Sequence, residues 1–150
     1  DSNAKVISAG TVNKDKKLDL QIICDHSTPR TTSHQRIDHV AFENGSTTFN
    51  GRIHILEHAS GCNAQLKNRS LAMGSETTIN AKPELEIYND DVQCSHGSTI
   101  GQVDETQLFY MRSRGIKERE AHAILCEGFL RETISGPLSA SAASNLIPER

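Results

Sequence analysis

Cys94 and His96 stand two residues apart in the run LEIYNDDVQCSHGSTIG, Leu85 to Gly101. On a strand that spacing projects both side chains from one face. A soft thiolate and a borderline imidazole so placed can share iron, zinc or the edge of a cluster. The plainer alternative is that Cys94 packs inward as a small apolar group while His96 makes one hydrogen bond, and from spacing alone that is the commoner fate. A second constellation, HILEH from His54 to His58, fits the H-x-x-E-H pattern of inverted zinc peptidases. That chemistry needs a helix, where residues i and i+4 bring two imidazoles to one metal and the intervening Glu serves as general base. Here Phe49-Asn50-Gly51 precedes the motif, Ala59-Ser60-Gly61 follows it, and Arg52 to Ile55 reads better as a strand. A zinc-dependent hydrolase using His54, Glu57 and His58 is therefore the lesser alternative, and no metal site is secure. His26, His34 and His39 fall in a loop-rich stretch and are read as solvated or singly hydrogen-bonded. No Gly-rich phosphate loop and no complete catalytic triad is present, so the chain is not expected to be an enzyme in its own right.

The elements that position these residues are mainly β. Trp is absent, only four Phe and two Tyr occur, and Ser, Thr and Asn supply 35 of the 150 residues. So few large side chains suit many short strands separated by polar turns. Period-two alternation runs through Leu18, Leu20 and Ile22, through Ile53 and Ile55, and through Leu85 and Ile87. Asn44-Gly45, Asn50-Gly51, Ser60-Gly61 and Gly74-Ser75 read as turns. A sandwich and a parallel solenoid both fit this rhythm, and no internal repeat decides between them by eye. After Gly101 the pattern becomes helical. Asp104 and Gln107 make a capping box, Leu108, Met111 and Tyr110 the apolar side of a short helix, and Gly115 its left-handed stop. A second helix starts near Lys117, with Ala121, Ile124, Leu125, Gly128 and Phe129 on one face. About the last 15 residues are Ser/Ala-rich and expected to be a poorly ordered or frayed tail. The division expected is a β part over residues 1–101 and a helical part with its tail over 102–150.

A formal net charge of −3 gives no argument for nucleic acid or an anionic membrane. No apolar run approaches the roughly 20 residues of a membrane span, and a cytoplasmic location is the default expectation. Cys24, Cys62, Cys94 and Cys126 lie more than 30 residues apart from one another, so no zinc ribbon or redox pair is indicated. Free, mostly buried thiols are the expectation.

The Cys-x-His run, followed at once by QVDETQLFYMRSRGI from Gln102 to Ile116, resembles the SufB/SufD family, the scaffold subunits of SUF iron–sulfur cluster assembly. DHSTPRTTS (Asp25–Ser33), FNGRIHI (Phe49–Ile55) and GIKEREAHAILCEGF (Gly115–Phe129) extend the resemblance over roughly residues 20 to 132. The Cys-Ser-His-Gly form, Cys94 to Gly97, is more similar to the SufD branch. The resemblance implies the C-terminal coils of a right-handed parallel β-helix followed by a small helical region. It implies that His96, with Cys94 second, contributes to a transient iron–sulfur cluster built at an interface with a SufB-type partner, with no cofactor held by the isolated chain. SufB-type subunits carry a Cys where this chain has Asn68, and acidic residues where it has Ser95 and Gly97. The chain thus lacks much of what would let it build a cluster alone. Association through the region Val92 to His96, and a homodimer standing in for the native heterodimer, follow from the same resemblance. So does docking of the SufC ABC-type ATPase on the helical region, for which Phe109, Tyr110, Arg112 and Arg114 are the candidates. Failing these roles, a purely structural β-solenoid module is what remains.

Overall fold

The computed structural model describes residues 1–134, so the expected disordered tail lies outside the described residues. Strands β1 (Asn3–Val12), β2 (Lys17–His26), β3 (Thr32–Phe42), β4 (Ser46–Ile55), β5 (Cys62–Met73), β6 (Thr78–Ile87) and β7 (Val92–Gln102) precede two helices, α1 (Glu105–Ser113) and α2 (Glu118–Ile134). The odd strands form one sheet in the order β1-β3-β5-β7, the even strands another in the order β2-β4-β6, and every pairing is parallel. The chain passes from one sheet to the other at each turn, which makes a parallel β-solenoid of about three turns. Thr32 stacks on Asn3, Asn63 on Thr32 and Gln93 on Asn63, steps of 29, 31 and 30 residues. Each step superimposes inward side chain on inward side chain, so a position in one coil is roofed by its equivalent in the next.

Alternation decides what faces inward. In β4 the buried positions are Thr47, Phe49, Gly51, Ile53 and Ile55, every second residue. Phe49, Ile53 and Ile55 pack with Ile37, Ala59, Cys62, Ala64 and Leu66, and Leu20, Ile22 and Leu85 close the layer. Each large aliphatic or aromatic side chain so buried stabilises the fold by about 1.5–3 kcal/mol. Gly51 corrects the sequence reading of Asn50-Gly51 as a turn. It lies inside β4, where an added Cβ would come within 2.4 Å of Phe49 Cζ and 2.7 Å of Leu66 Cδ1. The glycine makes room for the Phe49 ring; it does not bend the chain. Gly45, by contrast, follows a turn, with its N–H donating to Phe42 O at 2.8 Å.

The loop-rich reading of His34 and His39 is also corrected, since both stand on β3. His34 is exposed, whereas His39 is buried with Nδ1 lacking a partner. Burial lowers the His39 pKa against the opposing pull of Asp38, so the ring stays neutral.

α1 begins and ends where its residues dictate. Asp104 Oδ1 accepts from Thr106 N–H at 2.8 Å. At the other end Gly115, at φ +87°, donates to Arg112 O and Ile116 donates to Met111 O, a Schellman closure that a left-handed residue permits. α2 lies against the outer face of the odd-strand sheet, where Cys126 and Leu130 pack with Val40 and Met73. Its buried face is Ala121, Cys126, Leu130 and Thr133, while Ile124 is 50% exposed and Gly128 exposed. The expected stripe through Ile124 and Gly128 was thus rotated by about one residue. The reason is an ion network under the end of the helix. Asp38, fully buried, accepts from Arg69 Nε at 3.1 Å, from Arg36 Nε at 3.3 Å and from the Thr133 hydroxyl. Arg69 also donates to Phe129 O at 3.0 Å and lies over the Phe129 ring, 4.9 Å from its centroid. Satisfying that buried carboxylate fixes which side of α2 faces the sheet.

Candidate functional site

The stacked turns between even and odd strands run along one edge of the solenoid. Backbone bonds tie them together, including Arg30 N–H to Ser60 O, Leu56 N–H to His26 O and Gly61 N–H to Asp91 O. Just inside that edge β7 begins. Val92, Cys94 and His96 take inward positions on it, in register with Cys62, Ala64 and Leu66 of β5. Val92 and Cys94 pack on the main core, and His96 is exposed. The difference arises because β6 is the last strand of the even sheet among the described residues, so the inner face of β7 has only a partial roof. Cys94 and His96 are thus brought to one face at the mouth of the solenoid, the arrangement their spacing predicted.

The electrostatics of the pair follow from that position. Burial pushes the Cys94 thiol up, a backbone hydrogen bond at Ala64 opposes it, and nearby Cys62 adds to the rise. Cys94 therefore rests as a thiol near neutral pH and must lose a proton before it can bind a metal. Two residues along the same face, His96 carries an exposed imidazole. Two positions away, Ser98 Oγ donates to Asn68 Oδ1 at 3.2 Å, and Asn68 Nδ2 donates to Ile37 O at 3.2 Å. Asn68, fully buried, thereby holds β7 to β5 and β3 from inside. It occupies its position as a hydrogen-bonding clamp and brings no thiol. Ser95 is exposed on the outer face of β7, and Gly97 has nothing within 4 Å of where a Cβ would lie.

The peptidase pattern does not survive folding. His54 is on the outer face of β4, with Nδ1 3.0 Å from Asp25 Oδ1 and its ring edge-on to Tyr88 at 5.7 Å. Glu57 and His58 lie in the turn that follows, and His58 Nε2 donates to Ser27 O at 2.9 Å. The strand puts the two imidazoles on separate tasks, and no group of three His, Cys, Asp or Glu side chains with metal-holding geometry occurs among the described residues.

Sequence reasoning missed the role of His26. Read as solvated or singly bonded, it is buried, with Nδ1 2.7 Å from Thr31 Oγ1 and Nε2 2.8 Å from Ser33 Oγ. Burial lowers its pKa against the charge of Asp25. The signal was slight: His26 continues the inward series Leu18, Leu20, Ile22 and Cys24 by one more step of two.

On the helical side, Phe109 is 73% exposed and Tyr110 59% exposed. Leu108 is the buried anchor of α1 and Met111 is half-buried, so Tyr110 does not belong to the packed side as its spacing suggested. Arg114 lies over the Tyr110 ring at 5.1 Å, and Arg112 pairs with Glu118 at 3.4 Å. Tyr110, Met111 and Leu125 line an apolar groove of about 410 Å³. Phe109, Tyr110 and Ile124 are thus exposed on the two helices, with Arg114 beside Tyr110 and Arg112 beside Glu118.

The architecture is a parallel solenoid with a helical pair on its flank, and comparison with known proteins identifies the family to which such a chain belongs. The family description "SUF system FeS cluster assembly, SufBD core domain" matches residues 1–129. The chain is 35% identical over 131 residues to iron–sulfur cluster assembly protein SufD of Escherichia coli, covering 87% of this chain and 31% of that protein. It is 36% identical over 119 residues to a SufBD family protein of Synechocystis, covering 76% of this chain and 26% of that protein. With iron–sulfur cluster assembly protein SufB of Bacillus subtilis the identity is 30% over 124 residues, 83% of this chain and 27% of that protein. The chain belongs to the SufB/SufD family, and of these named SufD and SufB proteins it is more similar to the SufD. It spans about a quarter to a third of the length of these relatives. No described helix is long and apolar enough to cross a membrane.

Proposed function

We propose that this chain is the part of a SUF scaffold subunit that helps to build a nascent iron–sulfur cluster at an interface with a SufB-type subunit. The observation that carries the reading is the placement of Cys94 and His96 together on the incompletely roofed inner face of β7. A cluster edge needs one soft and one borderline donor there, and it needs the thiol proton removed. His96 meets both requirements as ligand or as proton acceptor, and Cys94 is the second donor. Among the described residues β6 and β7 are the last strands of their sheets, and a homologous chain can extend such edges. Val92 to His96 then lies at the subunit interface, and two copies of this chain can stand in for the heterodimer.

The same reading assigns the exposed aromatics of α1, with Arg112 and Arg114, to docking an ABC-type ATPase of the SufC kind. Aromatic and Arg side chains are the types enriched at binding hot spots. The subunit then works as a scaffold and leaves nucleotide chemistry to its partner.

Co-expression with SufB-type and SufC-type partners tests the central claim. The wild-type complex should carry iron and sulfide, and the His96→Ala complex should assemble yet lose most of both. Cys94→Ala should show a smaller loss. A His96→Ala complex with wild-type iron and sulfide content would refute the assignment.

A further inference from the structure

The outer face of the odd-strand sheet carries a block of positive charge that cluster assembly at the inner face does not use. Lys5 and Ile7 on β1, His34 and Arg36 on β3, and Gln65 and Lys67 on β5 occupy outward positions of their strands. The parallel register sets them in two rows, Lys5–His34–Gln65 and Ile7–Arg36–Lys67. Neighbouring strands lie about 4.8 Å apart, so three strands spread these side chains over roughly 10 Å. The last turn of α2 stands beside them, and together they line a cavity of about 310 Å³, with Glu132 and Thr133 on the helix side. Ser95 of β7 continues the first row, so the cavity lies one strand away from the Cys-x-His strand, on the outer face of the sheet.

The charge at the cavity does not cancel. Lys5, Arg36, Lys67 and Arg69 bring four cations, and Asp38 and Glu132 answer with two carboxylates. Two positive charges are left over. Glu132 registers that field: its hydrogen bond from Arg36, with the charges of Arg36, Arg69 and Lys67, holds its carboxyl below the ordinary range. Lys5 and Lys67 are exposed on long flexible stems that can turn toward a shared ligand, and His34 and Gln65 are exposed between them with N–H groups to donate.

We propose that this cavity binds a phosphate dianion, free or as the end of a small phosphate ester, between Lys5, Arg36 and Lys67, with N–H donation from His34 and Gln65. A phosphate monoester carries about −1.5 to −2 charges near neutral pH and three acceptor oxygens. That charge matches the excess of two, and three oxygens suit donors that approach from three strands. A carboxylate brings one charge and two oxygens in a plane, and Glu132 already supplies one to Arg36 and Arg69. Ligand pockets run from about 300 to 1,000 Å³, so a cavity of this size takes the phosphate and little else of its carrier.

Calorimetric titration at fixed ionic strength tests the site with three probes: inorganic phosphate, ribose 5-phosphate and acetate. Either phosphate should bind saturably with a dissociation constant of about 1 mM or tighter. Acetate should bind at least roughly tenfold more weakly. Tighter binding of the ester would assign the site to a phosphorylated small molecule and equal binding to the free ion; both sustain it. Lys5→Ala and Lys67→Ala should each weaken binding at least roughly tenfold. Lys16→Ala removes the same charge from the turn between β1 and β2 and should leave the affinity within roughly twofold. Glu132→Gln should tighten binding by removing a negative charge from the rim. If a lysine variant fails to fold, amide chemical-shift changes in the wild type still decide, because they should centre on Lys5, His34, Gln65 and Lys67. The proposal is overturned by the absence of saturable phosphate binding, by equal affinity for acetate, or by shifts centred elsewhere. Equal losses in Lys16→Ala and the two site variants, or weaker binding by Glu132→Gln, would overturn it as well. None of these readings depends on iron or sulfide content, so the scaffold reading stands or falls separately.

Discussion

Replacing Asp38 by Asn removes the charge on which the attachment of α2 depends while keeping the side-chain volume. The carboxylate is fully buried and accepts from Arg69, Arg36 and Thr133. The Asn oxygen can keep one of these bonds, but its amide meets the remaining guanidinium groups as donor against donor. Charge-assisted hydrogen bonds are worth about 1.5–3 kcal/mol each. Arg69 retains Phe129 O at 3.0 Å and Glu132 at 3.2 Å, and 21% of its side chain meets water, which limits the loss. A net destabilisation of about 2–4 kcal/mol follows. With a urea m-value of about 1–3 kcal/mol per molar, the unfolding midpoint should drop by roughly 1–2 M at pH 7. The pH dependence gives a second check. Burial pushes the Asp38 carboxyl up, but the hydrogen bonds from Arg69 and Thr133, with the charges of Arg69 and Arg36, outweigh it and hold the pKa below the ordinary carboxylate value. A depressed folded-state pKa means that the stabilisation is complete above the unfolded value of about 3.9 and is lost as pH falls through the folded one. Wild type and Asp38→Asn should therefore differ by a constant amount from pH 5 to 7, and the gap should begin to narrow below about pH 4 and close as pH falls through the folded-state pKa. A wild-type midpoint for the variant at pH 7 would show that α2 is held by its apolar contacts alone, and a gap that fails to narrow as pH falls below about 4 would refute the carboxylate as its source.

Gly51→Ala should destabilise the solenoid by about 1–3 kcal/mol through overpacking against Phe49 and Leu66, read as a lower thermal midpoint; an unchanged midpoint would mean that the Phe49 ring can move aside. Exchanging Arg112 and Arg114 together for Glu should weaken ATPase capture in a calorimetric titration while circular dichroism stays unchanged, because both side chains are on the surface. Unaltered affinity would refute the proposed docking surface.

Local rules made part of this molecule legible. Alternation named Leu18, Leu20, Ile22, Ile53, Ile55, Leu85 and Ile87 as one-sided; all but Ile87, which is exposed at the end of β6, are buried or partly buried on the inner face of their strands. Asp104 and Gly115 bounded α1 because a cap and a left-handed stop act within one turn of the helix. The two-residue spacing of Cys94 and His96 put them on one face for the same local reason. Asn50-Gly51 misled because a glycine inside a strand and a glycine in a turn look alike until the Phe49 ring is in place. The face of α2 misled because the apolar pattern of its own residues ignores Asp38, which lies 95 residues from Thr133.

The sequence alone determined which side of several strands faces inward, the limits of the first helix and the Cys-x-His face, since each depends on residues within a few positions of one another. The tertiary structure alone decided which coil lies on which. Stacking pairs residues 29 to 32 apart, and an inward slot accepts Ser, Gln, Ala, Leu or Asn so long as its neighbours above and below leave room. With so permissive a rule no repeat is printed in the residues, and only the folded chain brings His26 within reach of Cys24, Thr31 and, through Thr31, Cys62.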